Sequence, residues 1–416
     1  MADISQYNPG LDTHSWVGPG AVGSRKGNAA PLQQRMTDRT RLSAAWLEHS
    51  ALDDEILAAW QRFDNAAGAD NIFYQSWFLL PSLEQFDRDG KVRLFTLWDG
   101  PVGNGELIGL MPMLLQRHYG RWPMRYISNW QHPNLFMANP NIRAGHEVAF
   151  WEILLAELDS SPDSGHFLHL YGIATDRMCH SVLRNQALLQ KRHVAIVTDE
   201  RRAIMETTRE TEDYYTRTLR GKKRKELRRL KNRLSDMGEV TLVQGCDDIG
   251  IDRWIADFLK LESAGWKGGQ GSALDDHANT REFFGDIVRA AHQRGQVELT
   301  TLQFERTPIA MLVSFVAGGQ GYAFKTCFDE SFARFSPGVL LQVENLDMLH
   351  RLKLDTLDSC AAEGHPMIDS LWGERRHVQR LSLSLHGWRG RMFLKAHDLA
   401  EQAMDAIRHR IAWRRG

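Results

Sequence analysis

Cysteine is scarce in this chain and carries no pattern. Cys179, Cys246, Cys327 and Cys360 include no Cys-x-x-Cys pair and no zinc-ligand spacing. A chain of 416 residues has core enough to fold without disulfides. The expectation is reduced thiols, no metal and a cytoplasmic setting. Long apolar runs are also missing. The longest near-continuous one, Leu107–Leu115, is broken by Gly109 and Pro112 and is far too short to span a bilayer. The first residues show no basic-then-apolar targeting pattern. Neither sign of charge is in excess, since the formal net charge is -1, so bulk electrostatics names no partner. Helix-turn-helix, RRM and zinc-finger patterns are absent, and nucleic acid is not an expected partner.

What is present is a mixed pattern. Residues 1–43 are rich in Gly, Pro and polar residues and read as a mobile leader. From residue 44, WLEHSALDDEILAAWQRFDNAAG reads as a helix, with Trp46, Leu52, Ile56 and Trp60 near helical spacing. KVRLFTLWDG, ELIGLMPMLLQRHY, GHFLHLYGI and RHVAIVTDE read as strands, with HEVAFWEILLAEL helical between them. Residues 44–205 thus read as one domain. Residues 206–238 form a basic connector whose helix, about 222–236, has Leu227, Leu230 and Leu234 as an apolar stripe. Its charge fits a solvated face, carrier phosphates, the acidic face of an acyl carrier protein or anionic headgroups.

Residues 239–416 repeat the first half in outline. EVTLVQG is a strand, IDRWIADFLKLESAGW and TREFFGDIVRAAHQRG are helices, and QVELTTLQFE, TPIAMLVSFVAG and QGYAFKTCFDE form an antiparallel meander. ARFSPGVLLQ then opens a helix. Ser336 is placed to cap it, Pro337 fits its first position, and Gly338 leaves bare backbone in the first turn. Exposed N–H groups at a helix start make an anion site. LDTLDSCA reads as a strand, MIDSLWGERRHVQRLS as a helix, SLSLHGW and RMFLKA as strands, and DLAEQAMDAIRHRIAWRR as a closing amphipathic helix.

This order resembles the GNAT acyltransferase fold. LESAGWKGGQGSAL, YAFKTCFDESFARFSPGVLL and the segment from Leu357 to Glu374 are similar to its CelD/BcsL-like branch, over about 200–395. That branch is related to FemAB-type transferases and to relatives that N-acylate a sphingoid base. The resemblance implies an α/β (α+β) chain of two tandem GNAT-like domains, each a mixed, mostly antiparallel sheet flanked by helices. It implies an acyl group passed from acyl-CoA or acetyl-CoA, or from an acyl carrier protein, to an amine or hydroxyl of a lipid or saccharide. Peripheral contact with a membrane goes with that acceptor class. A FemAB-like aminoacyl transferase and a catalytically silent scaffold are its rivals.

The chemistry needs an aligned acceptor, a proton acceptor and a polarised carbonyl. Asp358, Glu262 and Lys325 are the catalytic candidates. Arg334, Ser336, Pro337, Gly338, Val339 and Lys223 are candidates for the carrier's phosphates. The spacing from Arg334 to Gly338 departs from the family's usual Arg/Gln-x-x-Gly-x-Gly/Ala loop. Trp266, Lys267, His132, Asp329 and Glu363 are candidates for the acceptor site.

Overall fold

A computed structural model describes residues 41–396 apart from 162, 207–210, 247–249, 266–268, 270, 272 and 345. The expected leader and closing helix lie wholly or almost wholly outside these residues. The first half runs β1 (Leu42–Glu48), α1 (Asp54–Phe63), α2 (Ser76–Phe86), β2 (Arg93–Asp99), β3 (Glu106–Gln116), β4 (Tyr126–Asn129), β5 (Asn141–Ile142), α3 (Glu147–Ser160), β6 (Phe167–Ala174), α4 (Met178–Leu189) and β7 (Val194–Glu206). Two connecting helices follow, α5 (Thr211–Thr218) and α6 (Gly221–Ser235). The second half runs β8 (Val240–Gln244), α7 (Ile251–Ala264), α8 (Ala278–Gln293), β9 (Val297–Phe304), β10 (Thr307–Ala317), β11 (Gln320–Phe328), α9 (Pro337–Glu344), α10 (Leu346–Leu352), β12 (Thr356–Asp358), α11 (Pro366–Asp369) and β13 (Glu374–Ser384).

The helix expected from Trp46 is in fact a strand followed by a helix. Trp46 lies in β1 opposite Phe95 of β2. The helix begins only at Asp54, where the Asp53 carboxylate accepts the Ile56 N–H at 2.9 Å. Ile56, Ala59, Trp60 and Phe63 then form its buried face. The second departure is at the carboxy-terminal end. Only Pro366–Asp369 is helical there, and Glu374–Ser384 is one long strand. Two strands of the first half, β6 and β7, pair with it on either side. That pairing overrides the local pattern, and local spacing cannot reveal it. Residues 391–396, expected as a strand, are helical.

The sheet order is β1-β2-β3-β4-β6-β13-β7-β12-β11-β10-β9-β8, with β5 paired to β3 off this path. It has the same pattern from both edges. Antiparallel neighbours lead inward to one parallel step, β4 with β6 on one side and β11 with β12 on the other. The two closing strands are exchanged. β7 ends the first half yet pairs with β12 of the second, and β13 ends the second yet pairs with β6 of the first. The exchange makes the two halves one sheet. Aromatic side chains fill the seam beside it: Phe73, Phe78 and Trp77 from the first half meet Tyr322, Phe324, Phe315 and Phe283 from the second.

Candidate functional site at the second parallel fork

Each parallel step is a fork, because the paired strands diverge after a few residues. In the first, β4 and β6 pair at Ile127 with Leu168 and Ser128 with His169. The chain beyond β4 then returns into the gap. The Ala138 N–H donates to the Gly172 carbonyl at 2.9 Å. The Asn139 side chain accepts from the Ala174 N–H at 2.8 Å and donates to its carbonyl at 3.2 Å. Asn129 holds Tyr171 in the same way at 2.8 and 2.9 Å. These two buried asparagines close the fork with the chain's own backbone.

The second fork is built differently. β11 pairs with β12 only at Gln320, Gly321 and Tyr322, opposite Thr356, Leu357 and Asp358. β12 ends there, while β11 continues to Phe328. Among the described residues, no strand pairs with that edge of β11 beyond Tyr322. A bulge at Phe324 shifts the register against β10 and turns Lys325. Its ammonium lies 5.5 Å from the centre of the Phe324 ring and 5.8 Å from that of Phe136.

The loop after β11 turns through Ser336, which has a left-handed backbone at φ 52°, and α9 begins at Pro337. The Leu340 N–H makes a helical bond to the Ser336 carbonyl at 3.0 Å, so the N–H groups of Gly338 and Val339 precede it. N–H groups so placed at a helix start suit an anion. Gly338 itself is buried, and a Cβ there would stand 3.3 Å from Phe328 and 3.4 Å from the Met367 sulfur. Close packing against Phe328 and Met367 accounts for the absent side chain at this position. Val339 is the partly open residue of the turn. Gln342, one turn on, is buried and donates to Thr326 of β11 at 3.0 Å, while its Oε1 has no hydrogen-bond partner.

Asp358 is buried at the fork's crotch and fully engaged. Its Oδ2 accepts from Arg376 at 2.9 Å, its Oδ1 accepts the Cys360 N–H at 2.8 Å, and Arg202 stands 3.7 Å away. Arg376 also reaches Asp176 at 2.9 Å. Burial opposes the Arg376 charge, but Asp358 and Asp176 outweigh it and hold its pKa above the usual value. A carboxylate so clamped is a structural anchor rather than a base facing an acceptor. Glu262 does not face solvent either. It is buried, and its Oε2 accepts the Leu274 N–H at 2.9 Å, which ties α7 to the turn before α8.

Lys325 and His132 are brought together. His132 is buried in the seam, stacked on Phe86 at 4.5 Å with Phe283 edge-on, and its Nε2 has no hydrogen-bond partner. Burial, and then the Lys325 charge, lower its pKa to about 3, so the ring is neutral. Arg202 lies close by. It donates to the Phe136 carbonyl at 2.6 Å and keeps a buried Nε without a partner. Burial pushes the Cys360 thiol well above its ordinary pKa, so it is not a thiolate nucleophile. Cys327 is buried, with its sulfur 3.7 Å from the Phe258 carbonyl.

The other candidates are held elsewhere. Asp329 caps the short turn after β11 by accepting the Ser331 N–H at 2.8 Å. Glu363 pairs with Arg201 at 3.0 Å, and the Arg201 N–H and guanidinium hold its carboxyl below the usual range. Arg334 is exposed and stacks over Phe335 at 4.8 Å. Lys223 faces Glu226 at 3.5 Å. Trp266 and Lys267 lie outside the described residues. Arg202, Arg376 and Gln342 were missed from sequence. Gln342 gives a signal as a polar residue in a largely apolar helix, whereas Arg202 and Arg376 stand among polar neighbours and give none.

α6 completes the surroundings. Leu227, Leu230 and Leu234 are buried, as their spacing indicates, and Leu227 and Leu234 share a core with Phe335, Leu340 and Leu341. Exposed Lys222, Lys225, Arg228 and Arg229 therefore project from a helix packed on the core that carries α9. Among the described residues no group of His, Cys, Asp or Glu is placed to hold a metal.

The chain has structural likenesses of low identity. It is similar to FemX, with 11% identity and a TM-score of 0.49 over 82% of this chain and 96% of that one. It is similar to L-PGS from Bacillus licheniformis, with 12% identity and a TM-score of 0.45 over 79% and 91%. A tandem GNAT protein from the clavulanic acid biosynthesis pathway gives 13% identity and a TM-score of 0.38 over 83% and 99%. No curated protein matches by sequence. Residues 221–377, which run from α6 through the fork into β13, match the family described as an Acetyltransferase (GNAT) domain.

Proposed function

We propose that the protein is an acyl-CoA-dependent acyltransferase that works at the second fork and delivers the acyl group to an amine of a cell-envelope molecule, such as a lipid or a saccharide precursor. The observation that carries the reading is the edge of β11 that no described strand pairs beyond Tyr322, beside the start of α9 and inside the matched GNAT segment. The chain's groups fit such a carrier. Gly338 and Val339 N–H groups suit the diphosphate, with the α6 cations on the same core. The buried Gln342 Oε1 is an acceptor suited to an amide of the carrier's arm. The acceptor class rests on the CelD/BcsL-like resemblance.

The bound thioester supplies an activated acyl carbon. The acceptor nitrogen attacks that carbon, the carbon–sulfur bond breaks, and the amine proton ends on the departing thiolate, giving an amide and a free thiol. Backbone N–H groups on the β11 edge, which no described strand covers beyond Tyr322, would stabilise the carbonyl oxygen as charge develops there. The Lys325 ammonium adds positive charge at the same place, held by Phe136 and Phe324. His132, neutral and buried in the seam, is the residue this reading assigns to positioning the acceptor.

The test follows thiol release from acetyl-CoA and palmitoyl-CoA with simple amines and lipid amines. Acceptor-dependent release is expected, with Lys325→Met lowering kcat about tenfold or more. Failure of every acyl-CoA both to bind and to turn over would overturn the reading.

A further inference from the structure

The segment after β13 forms a helix over 388–396, α12, that covers the outer end of the first half. One face docks tightly. A Cβ on Gly390 would stand 1.9 Å from the His166 carbonyl, and Leu394 is buried against Tyr126 and Phe167. Phe393 stacks on Phe167 at 5.8 Å and meets Trp122 at 6.5 Å. The other face does not dock. Trp388 is 68% exposed and Met392, one turn on, 61%. Trp122, at 60%, and Leu188 and Leu189, at 77% and 74%, add to the same end of the molecule. Large apolar side chains gathered in this way mark an interaction surface.

Cations surround them. A groove of about 540 Å³ is lined by Arg192, Arg391, Lys395, Trp388 and Met392. Asp159 also lines it, but that carboxylate is already paired with Arg192 and accepts the His386 N–H at 2.6 Å. Arg391, Lys395, Lys191 and Arg121 are exposed. The Arg389 guanidinium lies over the Trp388 ring at 5.8 Å. Burial, together with Arg389 and Arg125, lowers the His166 pKa, consistent with a local positive field.

We infer that this end of the first half, centred on Trp388, Met392, Arg391 and Lys395, docks on an anionic phospholipid bilayer, its aromatic and thioether groups in the headgroup layer and its cations on lipid phosphates. Exposed Trp with flanking Lys and Arg is the composition that partitions to this layer. A second copy of the chain fits less well, because a two-fold contact would place these cations opposite themselves. No described helix is long and apolar enough to cross a membrane, so the contact is superficial. The inference is independent of the acyltransferase reading.

The experiment is co-sedimentation of the full chain with two kinds of vesicle, pure phosphatidylcholine and phosphatidylcholine mixed with phosphatidylglycerol. Binding is expected to the mixed vesicles and to fall with salt. Trp388→Ser/Met392→Ser and Arg391→Glu/Lys395→Glu should each weaken it about tenfold or more, with circular dichroism unchanged. Lys222→Glu/Lys225→Glu on α6 should leave it intact. Wild-type protein that ignores anionic vesicles overturns the inference. So does loss only in the α6 variant, or a Trp388/Met392 pair whose removal changes oligomeric state and not vesicle binding.

Discussion

The two forks of the sheet differ in what fills them. At the first, the returning chain takes the place of a ligand, and Asn129 and Asn139 satisfy the diverging backbone. At the second, β12 stops at Asp358, α9 starts near the open edge, and Gln342 Oε1, Arg202 Nε and His132 Nε2 are buried without hydrogen-bond partners. The same strand pattern thus gives one fork sealed by the chain itself and one left open by its strands, where the carrier is proposed to bind. A repeated architecture does not imply a repeated site, because function sits in the groups around the fork.

The comparison can be broken at the seam the forks share. Arg376→Met leaves Asp358 buried beside only the more distant Arg202, and should cost about 3–5 kcal/mol in urea unfolding. A loss below about 1 kcal/mol would mean that this pair does not hold the exchanged strands together. Asn129→Ala should cost about 2 kcal/mol by leaving the Tyr171 backbone unpaired, with acetyl-CoA affinity unchanged. A fall in affinity would show that the first fork takes part in carrier binding. Val339→Glu reverses this outcome. A carboxylate at a helix start is tolerated, but Val339 packs partly on the core, so the stability loss should stay near about 1 kcal/mol. Acetyl-CoA binding should fall about tenfold or more by repulsion of the diphosphate.

A further expected effect is a pH dependence. His132 has a folded pKa near 3 against an ordinary value of 6.5. Its contribution to stability is complete above 6.5 and is lost as pH falls toward 3, because the unfolded chain binds the proton first. His132→Gln should flatten the pH dependence of unfolding within that window. An unaltered pH profile would place the ring in a wetter site than the seam.

Much of this arrangement was legible in the sequence. The stripe Leu227, Leu230 and Leu234 indicated a docked basic helix, and the spacing of β9, β10 and β11 indicated a meander, since both signals are local. The roles of single residues were harder to read. Asp358 looks like a base at a strand end until Arg376, 18 residues on, closes over it. Gly338 looks like a phosphate-binding glycine, yet Phe328 and Met367 account for it. The local pattern of β13 reads as a helix, because both its strand partners belong to the other half of the chain. In each case the deciding contact is distant in sequence.

The most direct test of the account is the number of acetyl-CoA molecules bound per chain, measured by isothermal titration calorimetry on the full-length protein. One site is expected, weakened by Val339→Glu and untouched by Asn129→Ala. Two equivalent sites, or none, would contradict the claim that the second fork alone receives the carrier.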